Sequence, residues 1–129
     1  MSFLRRRNHA HSPVRTPRQR AGDAAEAEAC AKLEAAGCRI LGRNVRYREG
    51  EIDIVADDRG TLVFIEVRMR RSDRFGGAEG SVDASKRRRL VRAAQHYLLR
   101  LPSPPPCRFD VVVIEGEAIE WIEAAFDAS

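Results

Sequence analysis

Apolar positions recur with a helical period in two parts of the chain and crowd into short, strand-like runs elsewhere. Asp23 to Ala36 is rich in Ala and Glu, with Ala29, Leu33 and Ala36 near helical spacing, and Gly37 follows where a helix end takes a left-handed residue. Cys38 to Tyr47 reads as extended, with Ile40, Leu41 and Val45. The runs EIDIVA (51–56) and TLVFIEVRMR (61–70) flank DDRG, whose turn residues predict a hairpin. A Gly-rich loop, 75–80, then leads to a second helix over about 82–101, marked by Leu90, Ala93, Ala94, Tyr97, Leu98 and Leu101. Ser-Pro-Pro-Pro stops that helix. FDVVVIEG (109–116) and EAIEWIE (117–123) form two last strands around a tight turn at Gly116. The predicted order is αβββαββ, an α/β fold.

Strand residues alternate faces, so Glu51, Asp53 and Val55 are expected on one side and Ile52 and Ile54 on the other. Val63, Ile65, Val67 and Met69 form an apolar face on the next run. Leu62, Phe64, Glu66, Arg68 and Arg70 form a face that starts apolar and ends in charge. If Arg59 and Gly60 are a two-residue loop, Asp58 faces Thr61, Asp53 falls opposite Glu66, and Glu51 opposite Arg68. Such opposed Cβ atoms lie about 4.5–5.5 Å apart. Two carboxylates that close repel unless a proton or cation lies between them. A hard divalent cation such as Mg²⁺, which takes one or two carboxylates plus water and phosphate, resolves the conflict. An ordinary solvated sheet face is the alternative, with Glu51 paired to Arg68 and Glu66 reaching Arg48 or Arg70.

Charge extends this picture. Charged residues make up 33% of the chain, the net charge is +4 and the pI is about 9.4, which favours an anionic partner such as nucleic acid. Residues 1–20 are arginine-rich, carry no acid and hold few core-forming residues, so they are expected to be disordered. They serve either as an electrostatic arm or as a solubilising tail, leaving 21–129 as the folded domain. Lys86, Arg87, Arg88 and Arg89 spread around the start of the second helix, a basic surface beside the Gly-rich loop. Cys30, Cys38 and Cys107 are scattered, against both a disulfide framework and a zinc site. No apolar run reaches the ~20 residues of a membrane span and no signal-peptide core follows the basic start, so the expectation is a soluble, cytoplasmic protein without a membrane partner.

The acid, hairpin and Glu-x-basic pattern resembles the PD-(D/E)XK nuclease superfamily. More specifically, GEIDIVA (50–56), VFIEVRMRR (63–71), FGGAEGSV (75–82), CRFDVVV (107–113) and IEWIEAAF (119–126) resemble the YraN family. That family is largely uncharacterised and regarded as Holliday-junction-resolvase-like or endonuclease-like. The likeness covers roughly 21–127. It implies a restriction-endonuclease-like core with a mixed central sheet flanked by helices. It also implies that Asp53 is the motif aspartate, that Glu66 is the acid of E-x-K, and that the Val67 carbonyl completes a metal shell. Glu26, in Ala25-Glu26 where related sequences read Gly-Glu, becomes a third catalytic carboxylate.

Arg68 stands where the motif has lysine. Arginine cannot act as a general base, but its guanidinium can hold a phosphate or steady charge on it. Lys86, Arg87, Arg89 and Arg70 are the residues expected to bind nucleic acid, and of these the resemblance sets Lys86 nearest the site. The resemblance therefore implies a Mg²⁺-dependent endonuclease, with Mn²⁺ able to serve, acting on DNA that includes branched forms. A non-catalytic nucleic-acid-binding module on the same fold is the alternative, and an interaction protein the third reading. A homodimer that addresses two strands is compatible with so small a domain.

Overall fold

The computed structural model describes residues 14–70 and 76–128. Helix α1 (Pro17–Ala35) precedes strands β1 (Arg39–Tyr47), β2 (Gly50–Asp58) and β3 (Thr61–Met69). Helix α2 (Gly76–Leu99) and strands β4 (Cys107–Glu115) and β5 (Ala118–Phe126) follow. The strands form one sheet in the order β1-β2-β3-β4-β5, antiparallel at every join except β3 with β4. That one parallel pair needs a crossover, which α2 supplies. The expected α/β class, a mixed central sheet flanked by helices in the order αβββαββ, is the fold observed.

Both helices begin earlier than the apolar pattern predicts. Thr16 caps α1 by accepting from the Gln19 amide, the Gln19 side chain accepts from the Thr16 amide, and Pro17 takes the first helical position. This reciprocal cap fixes the start regardless of which residues are buried. Residues 17–20, expected in a disordered arm, are thus the first turn of α1, and 1–13 lie outside the described residues. Helix α2 starts at Gly76, inside the expected Gly-rich loop, and ends at Leu99. Glycine permits helical dihedrals at a cost of about 1 kcal/mol relative to alanine, so its presence does not forbid them. Phe75 lies outside the described residues.

The two helices cover opposite faces. Ala25, Ala29, Cys30 and Leu33 of α1 pack on Ile54, Ala56, Val63, Ile65, Val67 and Val112. Leu90, Ala93 and Ala94 of α2 pack on Ile52, Val55, Leu62, Phe64 and Phe109. Phe64 is fully buried, edge-on to Tyr97 and tilted against Phe109. The cysteines Cys30, Cys38 and Cys107 are free thiols.

The hairpin register follows from its turn. Arg59 (φ +52°) and Gly60 (φ +94°) are both left-handed, the conformation of a two-residue turn that matches strand twist. Asp58 then faces Thr61 and the ladder continues to Ile54 opposite Ile65. One expectation fails: Ile52 and Ile54 do not share a face. Ile54 packs under α1 whereas Ile52 packs under α2. The strand pair turns over at Asp53 and at Asn44, which is left-handed (φ +52°) and sits between the Arg43–Ile54 and Val45–Ile52 pairs.

A buried acid far from this bend ties the other half of the sheet together. Asp110, 0% exposed, accepts two bonds from Arg108 and one each from Trp121 Nε1 and the Ala124 amide. Arg108 also donates to Asp58 at 2.9 Å, joining β4 to the β2–β3 turn. Asp110 and Asp58 hold its guanidinium still more firmly protonated. Asp110→Ala would leave that cation without its main partner. We expect a loss of about 3–5 kcal/mol, read as a fall in the urea midpoint. A midpoint shift under 1 kcal/mol would show that the network does not support the fold.

Candidate functional site

The β2–β3 ladder stops at Ile54 opposite Ile65. One step further, where Asp53 was expected to face Glu66, the Val67 amide donates instead to Asp53 Oδ2 at 2.8 Å. A side chain therefore takes the place of a backbone acceptor, and it does so because β2 turns over here. Asp53 is buried, and Lys86 Nζ of α2 lies 4.0 Å from the same Oδ2. Desolvation raises the Asp53 pKa to about 6, against the pull of Lys86 and the Val67 N–H, and Glu26 and Glu51 push it the same way as burial.

Glu66 lies at the far end of β3, on the α2 side with Leu62 and Phe64. It is 1% exposed. Arg68, two residues on and sharing that face, donates to Glu66 Oε2 at 2.7 Å. Glu66 Oε1 is buried and has no hydrogen-bond partner among the described residues. Such an orphaned acceptor is costly in a folded chain unless something else binds it.

Helix α2 is held against this end of the sheet by Gly50. A Cβ at Gly50 would lie 1.9 Å from the Arg89 carbonyl oxygen, so only glycine allows the helix backbone to approach β2 so closely. The approach leaves a crevice of about 330 Å³ lined by Glu51, Asp53, Ser85, Lys86 and Arg89.

The structure thus gathers Asp53, Lys86 and Arg89 in one crevice and sets Val67 as the donor to Asp53. Glu66 and Arg68 pair with each other on the same side of the sheet. Glu51 lies 3.8 Å from Arg46. Glu26 approaches from α1, where Arg43 lies 3.6 Å away, and burial raises its carboxyl above the usual range against the pull of Asn44 and Arg43. Arg70 is exposed just past β3, its amide bonded to Ile114. Arg87 turns away from the crevice and lies over the Phe126 ring, 4.8 Å from its centroid. Among the described residues, no group of three or more His, Cys, Asp or Glu side chains is close enough together to hold a metal.

The resemblance set Lys86 near the site, as the structure has it, but did not pair it with Asp53, because that contact depends on how α2 docks. The usable signal was Gly50 directly before the EIDIVA strand. Asp110 was also missed, although an acid inside FDVVVI needs a buried partner.

The family model described as uncharacterised protein family UPF0102 matches residues 25–114. A UPF0102 protein of Paracidovorax citrulli is 58% identical over 118 residues, covering 88% of this chain and 87% of that protein. One from Acidovorax sp. strain JS42 is 51% identical over 133 residues and spans the whole of both. Among solved structures, Archaeoglobus fulgidus Hjc, a Holliday junction resolvase, is similar with a TM-score of 0.45 and 18% identity, over 79% of this chain and 76% of that one.

Two outcomes test the geometry. Gly50→Ala forces α2 off the sheet and should cost about 1–3 kcal/mol by urea denaturation. Unchanged stability would mean the helix shifts freely. For Asp53, the raised folded pKa means its neutral form favours folding: this contribution is complete below about pH 4 and is lost as pH rises through about 6. In EDTA, Asp53→Asn should therefore gain on the parent protein between pH 4 and 7, by up to about 3 kcal/mol. Parallel pH profiles for the two proteins would overturn the assignment.

Proposed function

Because this chain belongs to the uncharacterised family UPF0102, its function must be read from the site, and we propose a metal-dependent endonuclease that hydrolyses DNA phosphodiesters. The observation that carries this reading is a pair of buried acids, Asp53 and Glu66, where β2 and β3 part. One is desolvated to a pKa of about 6 and the other has an oxygen without a partner among the described residues.

These donors fit a hard divalent cation, Mg²⁺ or Mn²⁺. Both supply carboxylate oxygen, and two carboxylates are as many as Mg²⁺ ordinarily takes from a protein. Asp53 and Glu66 would hold it. When bound, such an ion supplies Lewis acidity at a phosphate and a hydroxide near neutral pH. The Val67 N–H keeps Asp53 Oδ2 aimed, and Arg68 does the same for Glu66 Oε2. Lys86 and Arg89, on the crevice wall, bring positive charge to the scissile phosphate. Arg68 contributes fixed charge and no proton transfer, since a guanidinium does not deprotonate. Glu26 acts on Asp53 through its field rather than by contact, raising that acid's pKa.

One observation favours the non-catalytic reading. Arg68 already neutralises Glu66 at 2.7 Å and Lys86 stands beside Asp53, so the chain offers its own cations to both acids.

The two readings separate in one set of experiments with the full chain and single-stranded, duplex and branched DNA. With Mg²⁺ or Mn²⁺ present we expect cleavage that EDTA abolishes. Asp53→Ala and Glu66→Ala should each lower it by more than the roughly 10–100-fold that loss of a supporting partner costs at a metal site. Calorimetry with Mn²⁺ alone should show binding that Asp53→Ala removes. Salt-sensitive DNA binding without cleavage under any of these conditions would favour the binding module.

A further inference from the structure

The basic start of α2 divides between two flanks of the helix. Lys86 and Arg89, one turn apart, line the carboxylate crevice with Ser85. Arg88, Arg92 and Gln95, also one turn apart, fall on the other flank, as residues spaced by three or four must. There they line a separate groove of about 710 Å³, closed on its far side by Phe126 and Asp127 at the end of β5.

Arg87 at the edge of this groove is held in place. Its guanidinium lies over Phe126, which is itself stacked on Phe109 at 5.2 Å. Such a contact contributes roughly 0.5–2 kcal/mol and uses none of the guanidinium's hydrogen bonds. Arg87 Nε is buried with no hydrogen-bond partner among the described residues. Arg88 and Arg92 are exposed and have no ion-pair partner among the described residues. Among the described residues, three arginines face a single acid there, Asp127. The groove therefore offers unsatisfied donors and net positive charge, with one guanidinium fixed in advance.

We propose that this groove is a second phosphodiester-binding site, holding a stretch of nucleic-acid backbone separate from the one in the carboxylate crevice. Arg88 and Arg92, about 5–6 Å apart at Cβ, engage neighbouring phosphates of that stretch, and Arg87 contributes its free terminal nitrogens. The proposal rests on the nucleic-acid part of the reading above and not on cleavage.

The test measures DNA binding by the full chain in EDTA, by fluorescence anisotropy over a range of salt, for the parent protein and for Arg88→Ala/Arg92→Ala. Both arginines are exposed, so the variant keeps its fold, which circular dichroism verifies. The slope of log affinity against log salt should become shallower by about 1.8 on duplex, or about 1.4 on a single strand, as expected for two lost phosphate contacts. Arg39→Ala/Arg100→Ala removes the same charge elsewhere and should leave the slope unchanged. Asp53→Ala should retain the groove's contribution in full.

An unchanged slope in Arg88→Ala/Arg92→Ala, with the parent still binding DNA, overturns the groove alone. If the control pair lowers the slope equally, net charge explains the effect and the proposal fails. A change of oligomeric state in the groove variant with DNA binding intact assigns the groove to a second copy of the chain. If the parent binds no DNA at all, the nucleic-acid reading itself falls.

Discussion

A single hydrogen bond, from the Val67 amide to the Asp53 carboxylate, sets the geometry on which the site depends. In an unbroken antiparallel ladder that amide would find a backbone carbonyl on β2, and Asp53 would stand on a sheet face. Because β1 and β2 turn over at Asn44 and Asp53, the carboxylate instead lies where the strands part. The amide is satisfied, as a buried donor must be. The acid is desolvated in consequence. The same local turn thus explains the end of the ladder, the exchange of Ile52 and Ile54 between the two cores, and the raised pKa.

Helix α2 acts on this bend from outside. Its approach is limited by backbone-to-backbone contact at Gly50, which puts Lys86 and Arg89 over the parted strands and turns Arg87, Arg88 and Arg92 elsewhere. One helix therefore serves two surfaces of like charge. Which arginine reaches which surface is decided by the helical period once the contact at Gly50 has fixed the phase.

Much of the fold was legible because the signals were local. The DRG turn set the hairpin register, Gly37 ended α1 at the left-handed position, and Ser-Pro-Pro-Pro closed off α2. The start of α1 was also written locally, in Thr16, Pro17 and Gln19, but an argument from buried positions alone passes over exposed caps. The acids Asp53 and Glu66 were found from alternation, although alternation itself fails between them. No period-two rule anticipates a left-handed Asn44. The contact of Lys86 with Asp53 could not be read from spacing, because it joins residues more than 30 positions apart through the docking of a helix. Asp110 was readable in principle, as an acid within a β-branched run that only a buried cation could justify.

The sheet carries two buried acids on adjoining strands whose circumstances are opposite. Asp110 has four hydrogen bonds, two of them from a guanidinium, whereas Glu66 has one oxygen unpartnered among the described residues. Drift at these positions is consequently unequal. Loss of Asp110 threatens the molecule itself, while exchange of Asp53 or Glu66 for its amide lifts a buried charge and still offers an oxygen to the Val67 amide or the Arg68 guanidinium. Lineages of this architecture are therefore free to shed the chemistry and keep the scaffold, and the unsatisfied acids are the part that selection must actively maintain.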